Sequence, residues 1–127
     1  MKTTTREWVD KAEADYAAAV LLRRSRKKHT RDIVCFLLQQ CVQKYVKARL
    51  EEAGMASPRT HDLERLLDVV LPIEPTWASL RPALAAITDY AVEVRYSGRT
   101  ASPAETAWLL RSVVRIRELI RQRLGLS

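Results

Sequence analysis

His29 and His61 are the two imidazoles of this chain, so any imidazole-based proton transfer has to run through one of them. His29 lies inside a basic run formed by Arg23, Arg24, Arg26, Lys27, Lys28 and Arg31. That run could meet phosphates or simply be a solvated loop. His61 follows Thr60, a candidate helix cap, and precedes Asp62. It could bind a phosphate or shuttle a proton; it could also bond to a neighbouring helix and fix the loop after Gly54. Asp62 is expected in the first turn of a helix, where a negative charge suits the positive end of the dipole.

A second group of polar residues interrupts an apolar segment. Gln39 and Gln40 fall between apolar positions and need partners if that segment is central. The same helix of another subunit is one source, and His61 or Arg95 is another. Gln40 and Lys44 are four apart and share a helix face, with Lys47 a further turn on. Arg95 could hold a phosphate through its planar donor fork, or bond the last carbonyls of its own helix. Tyr96 could stack on a base or anchor the end of the bundle. A small anionic ligand is therefore expected between Gln40, Lys44 and Lys47, the His61–Asp62 cap, and Arg95–Tyr96. An interhelical polar network with solvated lysines is the alternative.

Near the C-terminus Arg111, Arg115, Arg117, Arg121 and Arg123 follow at helical spacing, with Glu118 the single acid among them. This reads as a mostly solvated face, or with residues 23–31 as a track for phosphates. Cys35 and Cys41 are six residues apart on one helix, roughly 9 Å along its axis and too far for a disulfide. They read as reduced core thiols. Two cysteines and two histidines this scattered make no zinc site, so no metal is expected.

Five helical segments would position these groups. The first starts at Thr4 with Glu7 completing a capping box, and carries Trp8, Ala12, Asp15 or Tyr16, Ala19 and Leu22 on its inner face. Thr30 and Asp32 open the second, whose stripe is Val34, Leu37, Leu38, Cys41, Tyr45 and Ala48. Ile33, Phe36 and Val46 widen its apolar coverage and mark it as central, and Gly54 stops it. Thr60 caps a short third helix with Leu63, Leu66, Leu67 and Val70 inside. The fourth runs from about Ser79 to Tyr96. Ser102, Pro103 and Glu105 give the strongest start signal, opening a fifth that buries Leu109, Val113, Ile116, Ile120 and Leu124. Short loops between long amphipathic segments predict an all-α, up-and-down antiparallel bundle of four to five helices in one domain spanning residues 1–127.

Composition agrees. Apolar residues are 47% and there are 3 Gly and 5 Pro, which disfavours β-sandwiches and Gly-rich phosphate loops. The net charge of +7 suits an anionic partner such as nucleotide, RNA or an acidic protein surface. The longest apolar run, Tyr16 to Leu22, is far short of the ~20 residues that span a membrane. The N-terminus leads into a charged segment, and a cytoplasmic protein is expected.

The order of motifs resembles the small stand-alone HEPN domains of bacteria and archaea. The landmarks are Trp8 with Lys11, Ala12, Glu13 and Asp15; the segment from Cys35 to Ala48; Thr60-His61-Asp62-Leu63; and Tyr90 to Tyr96. The resemblance implies a helical bundle that commonly homodimerises, associates with nucleotides or RNA, and is often encoded beside a minimal nucleotidyltransferase as a toxin–antitoxin-like pair. Some members are metal-independent endoribonucleases with an Arg-x4-6-His motif that meets its copy across a dimer. Here Arg24 and His29 match that spacing, as do Arg23 and His29, but in the first half of the chain; the family places the motif on later helices. Arg95 has no His after it. The resemblance thus implies a member without the usual nuclease site. The expected function is a homodimeric nucleotide- or RNA-associated binding module working with a minimal nucleotidyltransferase, a nucleotide such as ATP being the ligand it could hold. The alternatives are an endoribonuclease toxin drawing on Arg24, His29 or His61, and a ligand-free dimeric scaffold.

Overall fold

A computed structural model describes the backbone of residues 1–96 and 98–127 and the side chains of residues 1–91 and 98–127. It is an all-α bundle of five helices: α1 (Thr3–Arg24), α2 (Arg31–Glu52), α3 (Leu63–Val70), α4 (Arg81–Tyr96) and α5 (Pro103–Arg123). Single 3-10 segments occupy Lys28–Thr30 and Pro75–Leu80. No described residue is in a strand.

α2 packs against all four other helices, most extensively against α1. Its buried residues run around most of its circumference and include Val34, Leu38, Val42, Tyr45 and Leu50. A helix surrounded in this way has no single apolar stripe, because every side must meet a neighbour. Ile33 is the exception: it is expected to widen the apolar coverage, but it is 49% exposed although the next two residues, Val34 and Cys35, are fully buried. Cys35 and Cys41 are buried and free. Burial pushes their thiols up, to about 11 and about 12, so neither is a reactive thiolate at neutral pH.

On α1 the fully buried positions facing α2 include Ala12 and Ala19, whose small side chains let the two backbones approach. The expected Thr4–Glu7 capping box is absent; α1 begins at Thr3 with no side-chain cap. The hydroxyls are drawn instead to the far end of α2. Thr4 Oγ1 donates to Glu51 Oε1 at 2.7 Å, and Thr5 Oγ1 to Glu52 Oε1 at 2.9 Å. The Lys2 backbone N–H adds a bond of 2.9 Å to the Glu52 carboxylate. A carboxylate is a stronger acceptor than the groups a local cap offers. Gly54, at φ +70°, ends α2 in the left-handed conformation that a glycine adopts without strain.

Two other helix starts differ from expectation. Asp62, not Thr60, is the cap of α3: its carboxylate accepts from Glu64 N at 3.0 Å, while Thr60 Oγ1 accepts from Asp62 N at 3.1 Å. α4 begins at Arg81 rather than Ser79, because Pro75–Leu80 is wound as a 3-10 segment that buries Trp77. The α5 start is as expected. Ser102 and Glu105 form a reciprocal capping box with Pro103 at the first position.

Candidate functional site

The polar residues of α2 meet the loop before α3. Gln39 Nε2 donates to the His61 carbonyl at 2.7 Å and to Gln43 Oε1 at 3.1 Å. Gln40 Nε2 donates to Gln39 Oε1 at 2.7 Å. His61 Nδ1 lies 3.0 Å from Gln43 Oε1. That oxygen can only accept, so Nδ1 carries the proton and, in the neutral ring, Nε2 holds the lone pair. His61 itself is exposed. The expected amide partner was His61 or Arg95 within the chain, or a second subunit; the bonds formed here are to His61 and to Gln43, a residue the sequence reading did not single out. Its signal was its spacing, four residues after Gln39 and four before Lys47, on one face.

A group of cations extends this face. The Lys47 ammonium sits 5.5 Å from the centre of the Trp8 ring, and Lys11 reaches the same ring at 5.6 Å. Burial holds Lys47 below the ordinary lysine range, and the like charges of Arg59 and Lys44 push the same way. Lys47 has no carboxylate within ion-pair distance among the described residues. Lys44, by contrast, is bound to Asp15 at 2.6 Å and ties α2 to α1. Asp62 is occupied as the α3 cap. The side chains of Arg95 and Tyr96 lie outside the described residues. Trp8, Lys11 and Arg59 join the face without having been expected there.

Arg24 and His29 are not brought to it. Arg24 is exposed and lines a cleft where α1 gives way to α2; His29 is exposed in the 3-10 segment and is not part of that lining. Among the described residues no group of three His, Cys, Asp or Glu side chains is placed to hold a metal ion.

The expectation of a mostly solvated arginine face on α5 is corrected at Arg117 and Arg121, which are partly buried, while Arg123 is exposed but paired. Arg117 grips the Glu13 carboxylate through Nε at 2.7 Å and Nη2 at 2.5 Å. Arg121 Nη1 donates to the Tyr45 hydroxyl at 3.1 Å, and that hydroxyl also bonds Glu13. Arg123 meets Glu74 at 2.9 Å, where Arg49 also binds at 2.7 Å. Arg111 and Arg115 remain exposed. Glu74 is only 3% exposed, so two guanidiniums converge on one buried carboxylate. The arginines sit where acids from α1 and the α3–α4 connection arrive, and a local reading of α5 alone does not contain those acids.

No helix among the described residues is long and apolar enough to cross a membrane. Neither the curated proteins nor the solved structures compared with the chain match it. The model of the HEPN domain matches residues 5–123, from the first turn of α1 to the last residue of α5, and the chain belongs to that family.

Proposed function

We propose that this HEPN domain is a nucleotide- or RNA-associated binding module, with its ligand face built from Gln40, Lys47, Arg59, His61 and Trp8. Family membership supports a nucleotide- or RNA-related role. The observation that carries the choice of face is the fixed imidazole. Gln43 holds His61 Nδ1, so in the neutral ring Nε2 offers its lone pair to a ligand donor such as a base N–H or a ribose hydroxyl. Lys47, one turn after Gln43 on α2, has no described carboxylate within ion-pair distance. An anion is the group that such a face favours: it relieves the repulsion among Lys47, Arg59 and Lys44, and the Trp8 ring can stack on a base. Lys44, bound to Asp15, and Asp62, the cap of α3, support the geometry around it, and Arg95 and Tyr96 at the end of α4 belong to the same proposal. The module works as a homodimer beside a minimal nucleotidyltransferase in a toxin–antitoxin-like pair.

The test is a thermal shift with ATP and with a short RNA. A ligand at 100 times its dissociation constant should add about 2.7 kcal/mol to the native state. Lys47→Ala and His61→Ala should reduce that gain while the unliganded protein still folds. No shift with either ligand, together with no co-purifying nucleotidyltransferase, would leave the ligand-free scaffold. RNA decay on induction that disappears in His61→Ala would move the reading to an endoribonuclease.

A further inference from the structure

The turn from α1 to α2 encloses a cleft of about 440 Å³, lined by Arg23, Arg24, Arg26 and Arg31 and walled on the far side by Pro103 and Thr106 of α5. No acid lines it. Arg23, Arg24 and Arg26 form no ion pair with a described residue, although the same chain pairs Arg117, Arg121 and Arg123. The nearby acids are committed elsewhere. Asp32 accepts the Ala101 N–H at 3.1 Å, and Glu13, which with Arg24 borders an adjoining groove, is gripped by Arg117. Arg31 spends its Nε on the Ala101 carbonyl at 2.7 Å, which fixes its planar head in the wall.

Two further features point the same way. Arg26 sits at φ 56°, a left-handed conformation that a glycine would adopt without strain. Arg31 is the first residue of α2, where the helix dipole favours an acid over a cation. Repulsion among the guanidiniums and the misplaced charge of Arg31 share one remedy, a bound polyanion, and the left-handed backbone of Arg26 is strain of the kind that functional turns retain. A guanidinium fork matches two phosphate oxygens at once.

We propose that this cleft is a phosphate-binding site, distinct from the His61 face, that holds two or more neighbouring phosphates from an RNA backbone or from the polyphosphate of a free nucleotide.

The experiment compares the full chain with Arg24→Ala/Arg26→Gly and with a charge-matched control, Arg111→Ala/Arg115→Ala. Fluorescence anisotropy with a labelled single-stranded RNA is read across salt concentrations, and ATP and inorganic tripolyphosphate serve as competitors. The cleft variant should lose RNA affinity by about tenfold, while the control stays near wild type. Its dependence of log K on log salt should flatten by about 1.4, the share of two single-strand phosphate contacts. Competition by ATP or tripolyphosphate at low concentration assigns the site to a nucleotide's polyphosphate; resistance assigns it to the RNA backbone. Equal losses in the two double variants, or no binding of any of the three probes to wild type, would overturn the proposal. Arg24→Ala alone, an exposed change that leaves the turn intact, keeps the test valid if the double variant is poorly folded.

Discussion

Arg117 and Glu13, 104 residues apart, form a two-pronged ion pair that joins the last helix to the first. The guanidinium also lies over the Tyr16 ring at 4.4 Å, and the carboxylate receives the hydroxyl of the buried Tyr45. α1, α2 and α5 therefore share one carboxylate. We predict that Glu13→Ala destabilises the fold by about 2–3 kcal/mol, because two guanidiniums and a buried hydroxyl lose their acceptor together. Urea denaturation of Glu13→Ala, Arg117→Ala and the double variant should give a coupling well above that of an exposed pair. Strict additivity would show that the contact is incidental.

Stability should fall in acid. The Arg117 hydrogen bond chiefly holds Glu13 below the usual carboxylate range. At Glu74 burial pushes the carboxyl up, but the bonds from Arg123 and Arg49 outweigh it and the net shift is also downward. A folded-state value below the unfolded one, about 4.3, gives stabilisation that is complete above that pH and is lost as pH drops through the folded values. Thermal melts should therefore be flat from neutral pH to about 5 and decline below it. Glu74→Gln, which has no proton to gain there, should start lower and decline less.

The tautomer of His61 is directly observable. Nitrogen chemical shifts should place the proton of the neutral ring on Nδ1. In Gln43→Leu that preference should disappear, and Gln39 Nε2 should keep only its bond to the His61 carbonyl. An Nε2–H ring in the wild-type protein would remove the geometric basis for the ligand face.

Arg26→Gly should raise stability. Left-handed backbone costs a non-glycine residue about 1 kcal/mol, and glycine escapes that cost while losing some of the gain to its freer unfolded chain. A melting temperature at or above wild type is expected. A clear drop would mean that the Arg26 side chain supports the turn itself.

What could be read from the sequence depended on how far apart the partners lie. Ser102 and Glu105 are three residues apart and satisfy one another, so the α5 start was legible in full. Thr4 and Glu7 have the same spacing, yet Glu51 captures Thr4 from 47 residues away, and nothing local announces it. The α5 arginines were misread for the same reason. Gln39 and Gln40 announced a need for partners, and His61 was among those expected; the acceptor that organises the network, Gln43, looked like one more polar residue of a helix. Its importance comes from the place where the Thr60–Asp62 loop returns to α2, which is a tertiary fact.

The stitching of Lys2, Thr4 and Thr5 to Glu51 and Glu52 has a kinetic meaning. Two sequence-adjacent helices, zipped at their open end, need little loop entropy to meet and give the chain a local seed. α5 carries its guanidiniums to carboxylates on segments made much earlier, so it is the latch that shuts last. Pulse-labelling exchange should see amides of α1 and α2 protected before those of α5, and a chain cut short at Gly98 should keep a helical hairpin that lacks its closing bar.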